Sequence, residues 1–419
     1  MKLRIAFSGG IRKWGLVRVA MLIFIAAFPV YASPKFPLKV SANHRYLVDQ
    51  NNVPFYIVGD SSGQSFFSNL STADAGTVMA DRASFGFNGL WVHITISDNQ
   101  LFGRSNMSTY DGIVPFTGTI SGGFYDLSKP NPAYFARIDA MVNAAAAQNM
   151  VVLLDIFENY SDLAMYRTNG SAAVNAYGQY LGSRYKNFPN IIWIMGNDFE
   201  TWTTGLPGGT SSSSEAATDN GLAQAIMQGV LAADPNHLIT EELNYNISGS
   251  TDDSLLSPLV TLYSAYTYYP TYGEVLAQYK ASSPWPVIMI EGYYENNSYS
   301  NQTPTSLSAL GFRKQAYWTV LWGGLGGFFH GNQSELPLVS PLPGSWQSSL
   351  DTTTATQMKY FASFIQSFNW WDLVPDQTHV VVTAGYGTAS GVETGSGFGS
   401  GRIDTDNFVT TSRASACNR

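Results

Sequence analysis

The chain has 419 residues, with 22 Lys plus Arg against 30 Asp plus Glu and a formal charge of −8. That balance argues against nucleic acid and anionic membranes as partners. The single cysteine, Cys417, excludes an intrachain disulfide and a thiolate metal cluster.

The first 32 residues read as a signal peptide. Lys2, Arg4, Arg12, Lys13 and Arg18 form a basic stretch, Val19 to Val30 is mostly apolar, and Val30-Tyr31-Ala32 places small residues for cleavage near Ala32. Removing five cations leaves 17 against 30 acids, a mature charge near −13. The apolar run is short for a bilayer span. Export to a periplasmic or extracellular space follows, without stable membrane insertion.

Leu38–Val40 and Tyr46–Val48 flank a polar turn and predict an N-terminal hairpin. Strand-like and helix-like stretches then alternate. Pro54–Val58 runs into Gly59-Asp60, and Ser71 with Asp74 three residues on predicts a capped helix to about Ala83. Gly89–Thr95 is the next strand. Pro132 opens a helix whose apolar residues Tyr134, Phe135, Ile138, Met141, Val142 and Ala145 form a 3.6-residue stripe. Strands are expected over Met150–Phe157, Ile191–Met195, Leu238–Thr240, Val260–Tyr266, Val287–Ile290 and Gly326–Phe329. Helices are expected over about 173–185, 215–233, 272–280, 306–322 and 352–368.

Eight strand–helix units over about 320 residues predict a closed (β/α)8 barrel of the TIM type. The barrel carries the hairpin in front and a β-appendage behind that looks truncated. The expected organisation is a signal peptide at 1–32, a catalytic barrel at 33–371 and a partial β region at 372–419. Within the latter, His379–Thr383 reads as a strand. The connection Ser97–Asn131, with Phe102, Tyr110, Phe116, Phe124 and Tyr125, is long enough to be functional.

Two buried strands end on an acid: the fourth at Asp198 and the seventh at Glu291. In a barrel those positions lie at the C-terminal rim. A pair of carboxyls there is the equipment of a glycosidase, one donating a proton and the other attacking. Asn197, just before Asp198, is placed to bond a sugar hydroxyl. Further expected substrate contacts are Asp60 on the floor, His93, Glu158, Asn159, Tyr266, Tyr293, Trp322 and His330, while Tyr160, Trp202 and Tyr294 are stacking candidates. Glu200 and Glu295 compete for the catalytic pair from loop positions, and Glu241 and Glu242 should point to opposite sides of their strand. The histidines form no ligand set, so neither metal nor cofactor is expected.

The ordered segments Pro54-Phe55-Tyr56-Ile57-Val58-Gly59-Asp60, Phe85-Gly86-Phe87-Asn88, Trp193-Ile194-Met195-Gly196-Asn197-Asp198, Glu291-Gly292, Arg313-Lys314-Gln315-Ala316-Tyr317-Trp318 and Gly323-Gly324-Leu325-Gly326-Gly327 resemble the apiosidase-like glycoside hydrolases, glycoside hydrolase family 140. The resemblance spans roughly residues 36–375. It implies a retaining (α/β)8 hydrolase with Asp198 as acid/base and Glu291 as nucleophile. It also implies a plant cell-wall, pectic glycan as substrate, with apiose in rhamnogalacturonan II as the characterised type. The family more often has a second glycine where Asn197 stands, and its C-terminal β-domain continues past the position of Val409.

A rival reading takes Gly59-Asp60-Ser61-Ser62-Gly63 as a nucleophile elbow of a GDS-type serine esterase, with Asp376 and His379 completing a triad. A carbohydrate-binding protein without catalysis is the non-enzyme alternative.

Overall fold

The computed structural model describes residues 33–61, 65–96, 106–158, 162–199, 213–243, 247–296, 307–333, 346–389 and 402–414. The segment 1–32 and the residues Asn159, Tyr160, Glu200 and Trp202 lie outside the described residues. Strands β1 (Lys39–Val40), β2 (Leu47–Val48) and β3 (Pro54–Phe55) form a small antiparallel sheet. The expected hairpin is therefore present with a third strand, because Pro54-Phe55 pairs with β2 rather than extending the first barrel strand.

The main sheet holds β4 (Ile57–Asp60), β5 (Gly89–His93), β6 (Val151–Asp155), β7 (Ile191–Phe199), β8 (Ile239–Leu243), β9 (Ile247–Gly249), β10 (Tyr263–Thr267), β11 (Val287–Glu291) and β12 (Gly327–His330). Its order is β8-β7-β6-β5-β4-β12-β11-β10-β9. Only the short β9 runs antiparallel, along β10. The remaining eight strands are the parallel strands of a (β/α)8 barrel, so Asp60, Asp198 and Glu291 do end or nearly end the first, fourth and seventh.

Alternation along each strand splits the core in two. Ile57, Trp91, Leu153, Ile192, Ile194, Tyr266, Ile288 and Phe329 fill the barrel interior. Val58, Leu90, Val92, Leu154, Trp193, Met195, Met289 and Phe328 pack outward against the helices. Both faces are apolar, as a parallel sheet under helices requires.

The helices are α1 (Phe66–Asn69), α2 (Thr72–Ser84), α3 (Pro132–Ala147), α4 (Leu163–Tyr185), α5 (Ser213–Ala233), α6 (Thr271–Tyr279), α7 (Ala309–Leu321) and α8 (Thr353–Ile365). Ser71 caps α2 by accepting from the Asp74 amide at 3.0 Å, and α3 buries the whole stripe read from its sequence. Helix α4 starts earlier than expected because a non-helical Gly170 (φ 77°) joins a leading turn to the main helix. Between α4 and α5, a Cβ at Gly178 would lie 2.4 Å from the Ile226 carbonyl oxygen. The lack of a side chain there lets the two helices approach.

One expectation fails outside the barrel. His379–Thr383 is no strand: Asp376 Oδ1 accepts from the Val380 amide at 3.1 Å and Oδ2 from the Val381 amide at 2.8 Å, closing a turn. Val380 and Val381 are left exposed. The appendage pairs instead through β13 (Leu373–Pro375) and β14 (Ser412–Ala414). In the long connection, Phe116 is buried against Tyr177 and Tyr125, so it serves packing. No helix among the described residues is long and apolar enough to cross a membrane.

Candidate active site

Two irregularities in the sheet aim the acids. Between β7 and β8 the register jumps from Met195↔Glu241 to Phe199↔Leu243, so four residues of β7 span two of β8. Gly196 (φ 94°) and Asp198 (φ 51°) take left-handed conformations inside this bulge. Gly196 has no substitute there, since a Cβ would lie 2.4 Å from the Glu242 carbonyl oxygen. Between β10 and β11 the register passes from Ala265↔Met289 to Tyr266↔Glu291, leaving Ile290 as an extra residue. Regular alternation from the inward Ile288 and Ile290 would send Glu291 outward; the bulge turns it toward the interior.

The two carboxyls converge on a row of tyrosines. Tyr266 Oη donates to Asp198 Oδ1 at 2.6 Å and approaches Tyr268 Oη at 3.3 Å. Tyr268 Oη donates in turn to Glu291 Oε1, and Tyr294 Oη donates to Glu291 Oε2 at 2.8 Å. Three hydrogen-bond lengths thus set a ceiling of about 8 Å between the acids. The Tyr266 hydroxyl also lowers the pKa of Glu291.

Burial raises Asp198, with the Tyr266 hydrogen bond and His93 opposing and the Glu158 charge adding to the rise. Burial and then the Asp198 charge raise Glu291 against its tyrosine donors, and the two titrate as a pair at about 6 and about 8. The pair therefore retains one shared proton through the neutral range, in which one carboxyl is an acid and the other an anion. Two phenolic donors on Glu291 favour the anion there.

Other expected contacts divide by strand parity. His93 points inward beside Asp155, with Nδ1 2.7 Å from Asp155 Oδ2, and its charge acts on Asp198. Glu158 is buried and acts on Asp198 as well. Asn197 and Asp198 are only partly buried at the rim. Tyr293 stands behind Tyr268, ring centroids 5.9 Å apart, with its amide held by Gln315 Oε1.

Three expected contacts lie elsewhere. Asp60 has the outward parity of Val58 and meets buried Arg82 Nη1 at 3.3 Å, so it does not floor the site. His330 shares the parity of Phe328, packs between the rings of Phe87 and Phe312, and lies 3.5 Å from Glu295 Oε2. Trp322 follows the C-terminal end of α7, immediately before the chain enters β12 at its N-terminal end. It packs on Tyr272 and Phe408, at the start of a strand rather than at the rim. The competing Glu295 is committed to Thr352, whose hydroxyl donates to Oε2 at 2.8 Å.

Residues missed in the sequence are Tyr268 and the role of Glu242. Tyr268 carried a signal, since it follows Tyr266 by two residues and so shares its face. Glu241 and Glu242 do point to opposite sides. Glu242 Oε1 accepts from the Asp198 amide at 3.1 Å inside the barrel, while Glu241 lies outward near Ser250 and Asp253.

The esterase triad is not assembled. Ser61 Oγ donates to Tyr294 Oη at 3.3 Å and to the His330 carbonyl at 3.2 Å, while the His379 ring stacks on Tyr386 at 3.7 Å. Among the described residues no group of His, Cys, Asp and Glu can hold a metal.

A parallel eight-stranded barrel with two convergent rim carboxyls defines the glycoside-hydrolase barrel class. The chain matches the family described as "Apiosidase-like, catalytic domain" over residues 41–372, and it belongs to that family of glycoside hydrolases. No curated protein matches it in sequence. Among solved structures it is similar to a glycoside hydrolase family 5 protein from Bacteroides vulgatus ATCC 8482, with 20% identity, 86% of this chain and 78% of that one covered, and TM-score 0.68. A structure named "Glycoside hydrolase" gives 20% identity, coverages of 85% and 79%, and TM-score 0.67. The endo-1,4-β-mannanase of Rhizomucor miehei gives 15%, coverages of 78% and 99%, and TM-score 0.52. At these identities the likeness concerns the fold.

Proposed function

We propose that the protein is an exported, retaining glycoside hydrolase of plant cell-wall pectic glycans, acting on an apiose-type linkage. The observation that carries the mechanism is the convergence of Asp198 and Glu291 on the Tyr266–Tyr268 hydroxyls. Asp198, partly exposed at the rim, protonates the leaving glycosidic oxygen. Glu291, held as an anion by Tyr268 and Tyr294, attacks the anomeric carbon to form a glycosyl ester. Asp198, now ionised, takes a proton from water as that water hydrolyses the ester. Membership of the apiosidase-like family supports retention, in which the two carboxyls stand about 5–5.5 Å apart. Buried anions also suit an oxocarbenium-like transition state.

The apiose-type substrate is supported by the family, and export by the basic and apolar N-terminal stretch. Assay on rhamnogalacturonan II fragments and 4-nitrophenyl glycosides tests the reading. Glu291→Gln is expected to lose at least about a thousandfold in kcat, as removal of a nucleophile requires. Full activity in that variant refutes the assignment. Apiose release by the wild type decides the sugar, and anomer-resolved NMR of the first product decides retention.

A further inference from the structure

A third buried acid stands beside the same pair and has no place in the two-carboxyl reaction. Glu242 is fully buried on β8, and its Oε1 accepts the amide of Asp198. Its Oε2 is buried with no hydrogen-bond partner among the described residues. The titratable groups acting on it or feeling its charge are Asp198 on β7, Glu291 on β11, Asp155 on β6, Tyr266 on β10 and Tyr294. None of these is a cation, so an ionised Glu242 would be an unpaired buried charge. Burial first, then the Glu291 and Asp198 charges, hold its carboxyl well above the usual range.

A neutral carboxylic acid has one carbonyl oxygen and one O–H. The carbonyl oxygen is used on the Asp198 amide, which pins a residue whose φ is 51°. The remaining O–H is a donor beside both reacting carboxyls, and a buried donor without a partner is costly to leave unmet. We propose that Glu242 binds substrate through Oε2, donating to a ring hydroxyl of the sugar whose anomeric carbon lies between Asp198 and Glu291, while its Oε1 positions Asp198. The site then selects a ring bearing a hydroxyl at that point and rejects its deoxy counterpart.

This inference rests on the glycosidase reading, and its test separates the two. The probes are 4-nitrophenyl β-D-apiofuranoside and its monodeoxy analogues, with Glu242→Ala, Glu242→Gln and Glu291→Gln. On the parent glycoside, Glu242→Ala is expected to lose about 100-fold in kcat/KM. Glu242→Gln, which keeps one acceptor and one donor, is expected to recover at least about tenfold of that loss. One monodeoxy analogue should be cleaved by wild type and Glu242→Ala within about threefold of each other, because the contact is already absent. An alanine penalty equal on all analogues, or no recovery in the glutamine variant, overturns the contact.

Infrared difference spectra of wild type against Glu242→Gln at pH 7 supply a readout independent of turnover and of the alanine variant's folding. Loss of a protonated-carboxyl C=O stretch supports the donor; its absence overturns it. Undiminished activity in Glu291→Gln sinks the glycosidase reading whatever Glu242 does. An inactive Glu291→Gln combined with an analogue-independent alanine penalty sinks only the role of Glu242.

Discussion

Tyr268→Phe isolates the electrostatics of the nucleophile. The change removes one O–H and leaves the ring against Tyr266 and Tyr293, so packing is retained. The lost donor serves Glu291 Oε1, while the Tyr294 donor at Oε2 remains. A hydrogen bond to an ionised acceptor contributes about 1.5–3 kcal/mol, which corresponds to about one to two pKa units. The bond favours the carboxylate, so its loss raises the pKa of Glu291.

The wild-type pair titrates at about 6 and about 8, and only its singly protonated form is productive, so kcat/KM should be bell-shaped between those limits. In the productive form Glu291 is the anion. Its protonation sets the acid limb, and loss of the Asp198 proton sets the alkaline limb. Tyr268→Phe should therefore move the acid limb upward by about one to two units and leave the alkaline limb nearly in place. Below the new limb, kcat/KM falls about 10- to 100-fold. The assay is kcat/KM against pH on a 4-nitrophenyl glycoside, with thermal melting as the folding control. An acid limb that stays where it was, in a folded variant, would falsify the claim that Tyr268 stabilises an anionic Glu291.

Other outcomes follow from the same structure. Gly196→Ala meets both a φ of 94° and a carbonyl oxygen 2.4 Å away; a loss of about 1–3 kcal/mol in chemical denaturation is expected, with reduced kcat as the Asp198 bulge shifts. Glu274, buried on α6, is raised to about 8 by burial first and then by Asp252. A carboxyl whose folded pKa is raised holds its proton more tightly when folded, so stability is greatest below the unfolded value near 4.5 and falls as pH rises to about 8. Glu274→Gln should flatten that decline in melting curves recorded across pH 4.5–8. Trp322→Ala should lower the melting temperature, the cavity costing about 3–5 kcal/mol, while KM stays within twofold; a large rise in KM would return Trp322 to the substrate site.

The resolution of the sequence stops at a definite physical boundary. Helix α3 was legible because one face is apolar and the other is not, and α2 because Ser71 and Asp74 sit where a cap must be. The barrel strands were legible as elements, and their count placed Asp198 and Glu291 on the fourth and seventh. Their parity was not legible, because a strand buried on both faces shows no alternation to reveal which side faces the barrel axis. Hence Asp60 and His330, read as substrate contacts, turn outward to Arg82 and Glu295. Trp322 failed for another reason: a tryptophan beside a glycine run carries no mark of which end of the barrel it occupies.

The sequence by itself determined an alternating chain of buried strands and amphipathic helices, two acids at strand ends, and the family resemblance that names their chemistry. Only the tertiary structure decided that those acids face each other. One extra residue at Ile290 turns Glu291 inward against the alternation of its strand, while Asp198 keeps the parity of Ile192 and Ile194 across the Gly196–Asp198 bulge, and bulges arise from how one strand pairs with the next. The tyrosine that holds Asp198, and the carboxyl of Glu242 that accepts its amide, lie 68 and 44 residues from it in the chain. Such contacts have no local signature, since hydrogen bonds between strands depend on register, and register is a property of the assembled sheet.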